Sequence, residues 1–293
     1  MFVLSSRKYL FSVLYALLTA VSLVLIQGLK DVPANVSLFI CAVTATLFFH
    51  IINGKKLRTV YSATYANKVT WLAVSITIFI IWWVTFYSVQ LIGASKSVLI
   101  FFTSRAIVGY LYKFLKKDNL WTTIICLLGL AIILVIFYII NRESHKWLLG
   151  FAITSVGGLT SYLYGKCSHT LGNNAALTAT QILAVRFYVL IAVLLWSVSF
   201  SALKYAIESH WLALMIITLF SFILPLYFNQ RGIMTAGPEV HAIIAALTPF
   251  FTVLLELLVH QTISISTIVF SIIIVLFIAP QFLEAFFQKI QRL

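Results

Sequence analysis

The chain has 293 residues, 62% of them hydrophobic and only 9% charged, with a mean hydropathy of +1.07. A water-facing surface needs about a quarter of its residues charged, so these proportions exclude a soluble globular protein and make lipid the solvent. The net charge of +13 would suggest nucleic acid in a soluble chain; here its meaning depends on where the basic residues fall.

In chain order, apolar runs of about 20 residues predict helical spans at 9–28, 36–53, 70–91, 97–115, 121–140, 147–165, 176–199, 211–229, 240–259 and 263–283. At about 1.5 Å rise per residue each can cross a hydrocarbon core of roughly 30 Å. The alternating polarity of barrel strands is missing, so helices are the way to satisfy the backbone in lipid. Arg7 and Lys8 ahead of the first run imitate a signal peptide, but the run is too long and no small-residue cleavage site follows, so it reads as a span. Gly157, Gly158 and several Ser and Thr make the sixth run the least apolar, and the longest predicted loop is 53–69. With a cytoplasmic N-terminus, thirteen basic residues face inside and five (Lys30, Lys96, Arg142, Lys146 and Lys204) face outside. That asymmetry puts both termini in the cytoplasm and makes the charge a topological signal, with no nucleic-acid partner implied. Cys41, Cys126 and Cys167 are widely spaced with no CxxC pair, which reads as buried packing without metal or disulfide.

The spans repeat. WLAVSITIFIIWWVTFYSVQ (71–90) and WLALMIITLFSFILPLYFNQ (211–230) align without gaps at an offset of 140, with Trp71/Trp211, Tyr87/Tyr227 and Gln90/Gln230 among the identities. KYL at 8–10 and KWL at 146–148 give 138, and the stretches around 112–120 and 255–263 match near 143. Two halves of five spans follow, residues 1–145 and 146–293. An odd number of spans per half turns the second upside down, the inverted-repeat construction of secondary transporters. The expected fold is thus an all-α polytopic membrane protein of ten transmembrane helices in two inverted five-helix repeats.

This arrangement resembles the drug/metabolite transporter superfamily, in particular its EamA-like branch, over the whole chain. AALTPFFTVLLELL (245–258) is similar to the family's fourth-helix pattern, with Leu247, Pro249 and Phe251 in the Leu-x-Pro-x-Phe places; ILAVRFYVLIAVLLW is similar to its second-helix pattern, with Arg186 in the arginine place. The chain departs from the pattern in span two, where Ile40-Cys41 replace the arginine, and in span four, where Arg105-Ala106 stand opposite Thr248-Pro249. The resemblance implies alternating access in an inner membrane, without a cofactor.

Arg105, nine residues from Lys96 and eleven from Lys116, falls near mid-membrane, where a charge costs roughly 2.5–3.5 kcal/mol on insertion scales. It should face a wet cavity or a partner. Either it contacts a carboxylate, phosphate or carbonyl of a solute through its planar fork, or it pairs with Glu256, the one acidic residue clearly within a span. Phe101 and Phe102 make its aromatic rim. Arg186 is also near mid-depth; its place in the family pattern implies a shared structural role, capping backbone carbonyls of a neighbouring helix, ahead of the alternative of substrate choice. Trp83, Tyr87 and Gln90 share one helical face, matched by Ile223, Tyr227 and Gln230. Such aromatic bodies with polar edges suit a solute pocket, or an interfacial belt. Pro225 and Pro249 predict helix breaks, with the Thr248 hydroxyl satisfying a freed carbonyl.

Scattered acids, scattered histidines and the lack of a phosphate-binding glycine loop argue against an enzyme or a built-in ATPase. The function expected is a secondary active transporter or exchanger of a small polar or amphipathic metabolite, amino-acid-like or related, acting as monomer or homodimer among membrane lipids, with Glu256 coupling protons by releasing Arg105. The alternatives are an antiporter of a nucleotide-linked or phosphorylated solute and a non-transporting scaffold or lipid-modifying protein.

Overall fold

The structure, a computed structural model, describes residues 2–29, 31–116, 120–142, 145–260 and 265–290, and among them it is helical with no strand. The helices are α1 (Phe2–Gly28), α2 (Ala34–Asn53), α3 (Leu57–Ala66), α4 (Lys68–Ile92), α5 (Ala94–Leu115), α6 (Leu120–Ile140) and α7 (His145–Asn174). They continue as α8 (Ala179–Val185), α9 (Tyr188–Ser197), α10 (Phe200–Ile217), a π-helical turn (Thr218–Ile223), α11 (Leu224–Ala236), α12 (Pro238–Ala245), α13 (Thr248–His260) and α14 (Ile265–Ile290). Seven helical segments among the described residues are long and apolar enough to cross a membrane. The chain is a multi-pass, all-helical membrane protein. α7 falls outside that set because Gly, Ser and Thr dilute it, and α12 and α13 because the chain breaks between them.

The helices alternate in direction, so the bundle has two ends. At one, the Asn35 amide donates to the Ser197 carbonyl (2.7 Å); at the other, Asn53 donates to the Thr180 carbonyl (3.0 Å). Lys55, Lys56, Arg58, Lys68, Lys116 and Arg231 gather at the second, the basic end. The most extensive packing is α4 and α5 on α7, followed by α1 on α11; α1 also lies on α12 and α13, and α2 on α8 and α9.

Close approach of α7 to α4 and α5 rests on its small residues. A methyl group added at Gly157 would come within 2.6 Å of Val84 Cγ1, and one at Gly158 would collide with the Phe101 carbonyl oxygen. The two glycines that dilute the sixth apolar run are therefore what lets its helix nest between two others, by the small-residue packing that stands in for hydrophobic drive in lipid. Farther along, buried Ser161, Gly165, Ser168 and Gly172 extend the same face, and α7 continues to Asn174, nine residues past the predicted end.

Two predicted loops are helices. Residues 57–66, inside the expected 53–69 loop, form α3, with Val60 and Thr64 buried one turn apart and Tyr61 and Tyr65 exposed. The expected 200–210 connection opens α10, whose first turn is capped by Ser199 Oγ accepting from Ala202 N (3.3 Å). Amphipathic helices of this length, too polar on one face to span, lie along the surface. Each precedes a bend, at Asn67 (φ −113°, ψ 34°) and at His210 (φ −132°, ψ 17°), and then a long rod.

Those rods end alike. Gly93 (φ 86°, ψ 163°) links α4 to α5, and Gly237 (φ 87°, ψ 155°) links α11 to α12. Both adopt a positive φ that side chains resist. The bends are 143 residues apart and the glycines 144. The extra residue is taken up by the π-helical turn that ends just before Pro225, where the proline lacks an N–H and its ring crowds the preceding turn. Ungapped alignment at 140 is therefore about one helical turn out of register with the bends. Pro249 likewise marks the α12–α13 break, and Thr248 Oγ1 donates to the Ala245 carbonyl as expected.

Gly158→Leu should prevent assembly of a stable bundle, since overpacking costs about 1–3 kcal/mol even where only side chains must yield and here backbone stands in the way. Gly165→Ala, whose methyl group would meet only Pro238 Cβ at 3.8 Å, should be neutral or slightly stabilising. Thermal denaturation in detergent distinguishes the pair.

Candidate functional site

Along α1, Ser12, Tyr15, Thr19 and Ser22 fall at helical spacing on one face, and that face meets the crossing of the bundle. Tyr15 and Ser22 of α1, Trp82 and Thr85 of α4, and Phe101 and Phe102 of α5 line a cavity of about 60 Å³. Ser22 Oγ donates across it to Ser221 Oγ on the π-helical turn (2.7 Å), and the Trp82 ring stacks on Phe222 at 4.2 Å. Such a volume seats a few waters, each needing about 10–15 Å³, and is smaller than the ~300 Å³ of a typical ligand pocket. In this conformation the cavity is too small for more than water.

Arg105 lies on α5 one turn beyond Phe101 and Phe102. It is 8% exposed, its guanidinium carbon is 5.9 Å from the Phe102 ring centre, and its Nε has no hydrogen-bond partner. No carboxylate among the described residues pairs with it; the ionisable groups within electrostatic reach include the phenols of Tyr15 and Tyr162 and the imidazole of His241.

Arg186 is fully buried where α8 stops and α9 begins. The expected capping of carbonyls is not what its side chain does. Nη1 donates to the Tyr164 hydroxyl, the guanidinium carbon sits 4.7 Å from the Phe187 ring centre, and Nε and Nη2 are left without partners. The Tyr164 hydroxyl donates to Gln230 Oε1 (3.3 Å), as does Ser168 Oγ (2.8 Å), while Gln230 Nε2 is also unpartnered. A second buried set adjoins it: His241 Nε2 is 2.6 Å from Asn229 Oδ1, Nδ1 is 3.0 Å from Ser12 Oγ, and the ring lies 5.1 Å from that of Tyr15. Tyr15, within reach of both Arg105 and Arg186, connects the cavity to this cluster.

Glu256 is not beside Arg105. Its carboxylate accepts from Gln27 Nε2 (2.9 Å), from Ser95 N (3.0 Å) and from Ser95 Oγ, while Gln27 Oε1 accepts from Ala94 N (2.6 Å). It therefore caps the N-terminus of α5, where unpaired N–H groups and the helix dipole favour an anion, and ties α1, α5 and α13 together. In this conformation the expected Arg105–Glu256 pair does not form, and a proton on Glu256 would loosen that end of the bundle instead of freeing Arg105.

The expected aromatic face of α4 is displaced by one residue. Trp82, Thr85 and Ser88 face the cavity; Trp83 and Tyr87 pack on each other at 4.8 Å, half-buried outside it. Gln90 is exposed and donates to the carbonyls of Leu29 (3.4 Å) and Val32 (3.3 Å), closing the α1–α2 connection. A helix turns about 100° per residue, so docking of Val84 against Gly157 swings the 82–85–88 stripe inward. Tyr227 lines a different opening at the basic end, and Gln230 is in the buried network. Sequence reasoning missed Tyr15, Trp82, Tyr164, Ser168, Asn229 and His241. The hydroxyl stripe of α1 was a usable signal; the others are spread over four further helices, with only Tyr164 and Ser168 sharing one.

No family model and no curated protein matches the chain. A solved crystal structure described only as that of a protein is similar in fold, with a TM-score of 0.61 over 94% of this chain and 97% of that one at 14% identity. At that identity the likeness speaks for the fold alone.

Glu256→Ala should lower stability by about 1.5–3 kcal/mol, the worth of hydrogen bonds to a charged group. In a cysteine-free background carrying Ser97→Cys on the cavity wall, it should also speed labelling by a membrane-impermeant thiol reagent. Unchanged labelling would mean that the Glu256 cap does not hold that end closed.

Proposed function

We propose that this protein is a secondary transporter of a small polar or amphipathic solute, working by alternating access between two inverted five-helix halves in the inner membrane. The carrying observation is Arg105, a guanidinium buried beside a small cavity with an unmet N–H and, among the described residues, no carboxylate paired with it. A fixed charge so placed costs several kcal/mol unless water or cargo reaches it. It anchors the cargo, with Phe101, Phe102 and Trp82 as walls. No residue constellation in the site suits bond-making chemistry, so the protein moves its ligand unchanged.

Several features support the two-halves reading. The packing list keeps its form when the halves are exchanged: α1 on α11 becomes α7 on α4, and α2 on α8 and α9 becomes itself. Surface helix, bend, rod and positive-φ glycine recur in the same order. Pairing α8 with α9, α10 with α11 and α12 with α13 gives ten spans, with both termini at the basic, cytoplasmic end. The breaks at Arg186–Phe187 and Ala246–Leu247 lie in the second half alone, whereas α2 and α5 run on. Discontinuous helices at mid-membrane are where transporter folds build sites and bend.

Vesicles containing the purified protein, supplied with a pooled metabolite extract, should show protein-dependent flux of a particular solute. Arg105→Gln should cut that flux at least tenfold, on the order of the 1.5–3 kcal/mol of a charged hydrogen bond, while circular dichroism and gel filtration stay unchanged. No flux for any solute, or full flux in Arg105→Gln, overturns the reading.

A further inference from the structure

A second opening, at the basic end, is larger than the cavity beside Trp82 and shares no lining residue with it. It has a volume of about 630 Å³, and Lys55, Lys56 and Arg231 are on its wall with Thr178, Gln181 and Tyr227. All three cations are exposed, and no carboxylate among the described residues lines it. One helix leads inward from it: α8 starts at the opening with Ala179 and Gln181 and ends at Arg186, five residues beyond Gln181 and about 7–8 Å deeper at 1.5 Å per residue. α11 runs toward the opening and presents Tyr227 and Arg231 to it, while Gln230 between them turns to the buried network.

Behind the wall of the opening, and buried away from it, is a set of donors without acceptors. Arg186 is 0% exposed and lacks partners on Nε and Nη2; Gln230 is 0% exposed and lacks one on Nε2. Buried polar atoms are ordinarily satisfied, and every unmet atom here is a donor. Nε and Nη2 form one edge of the guanidinium, the edge that grips a carboxylate or phosphate through two parallel hydrogen bonds. Nη1 is meanwhile held by Tyr164, so the fork is fixed in direction. With Arg105 the interior carries two positive charges, and Glu256, the acid within the spans, is occupied at the far end.

Resting on the transporter reading above, we propose that the cargo bears an oxyanion group, carboxylate or phosphate, which is collected by the Lys55–Lys56–Arg231 opening and held by the free edge of Arg186 with the Gln230 amide. Arg105 then holds a second polar group of the same solute or shares the charge. A basic funnel concentrates anions and speeds their arrival in a salt-dependent way. The buried fork supplies selection, since a neutral or cationic solute leaves both guanidiniums uncompensated.

The test uses the full chain in nanodiscs, with inorganic phosphate, glycerol 3-phosphate and malate as probes against glycerol and lysine. The oxyanions should raise the melting temperature saturably, and glycerol and lysine should not; the ranking of phosphates against malate tells which oxyanion the site prefers. Arg186→Lys, which keeps the charge but loses the fork, should weaken apparent affinity at least tenfold, and Gln230→Glu should abolish it. A Lys55→Gln, Lys56→Gln, Arg231→Gln combination should slow initial oxyanion uptake in vesicles several-fold and flatten its salt dependence. Binding unaffected by Arg186→Lys and Gln230→Glu, or vesicle flux confined to neutral or cationic solutes, overturns the inference and leaves the transporter reading standing. Absence of flux for every solute overturns the transporter reading instead.

Discussion

Two guanidinium groups buried among apolar helices, with no carboxylate of the described residues paired with either, set the terms for the rest of the molecule. Lipid cannot solvate them and the long side chains do not reach the surface, so the surrounding helices supply phenols, an amide and hydroxyls. That supply is incomplete: three nitrogen atoms on Arg105 and Arg186 have no partner. A purely structural arginine is normally enclosed by acceptors. Leaving donors unmet at the crossing of the helices makes sense where an acceptor comes and goes.

Holding those groups near one another requires helices to approach more closely than large side chains allow. The small-residue face of α7 does this, with Gly157 and Gly158 against α4 and α5 and Ser168 at the amide of Gln230. Gly232 plays the matching part on α11, where a methyl group would meet His241 Nδ1 at 2.5 Å and Ser12 Oγ at 2.9 Å. The same residues that weaken the hydropathy of a span thus create the polar interior. Glu256 then joins three helices at one end through the α5 N-terminus, while the other end is left open and basic. The result is a bundle tied together at one end, with a basic opening at the other and the charged centre buried between them.

Composition and periodicity carry the membrane class, the helical solution and the positions of most rods, because hydropathy over 20 residues depends on local sequence alone. Pro225 and Pro249 likewise announce their breaks, since a missing N–H is a covalent fact. The surface helices α3 and the start of α10 escaped notice because ten-residue amphipathic segments are too short and polar to register as spans. Arg105 stood out because a charge in an apolar run is anomalous whatever surrounds it.

The tertiary structure decided what faces what. Trp82 instead of Trp83 lines the cavity because docking of Val84 on Gly157 fixes the rotation of α4, and a rotation of one residue is invisible to a periodic pattern. Glu256 serves the α5 N-terminus because the Gly93 turn brings Ala94 and Ser95 to it. Arg186 turns toward Tyr164, 22 residues away along the chain. The sequence by itself settled solvent, helicity and the presence of buried charge, which depend on what each segment is made of. Partners across 22 to 229 residues depend on the rotation and depth of packed helices, and those are set only when all of them are assembled.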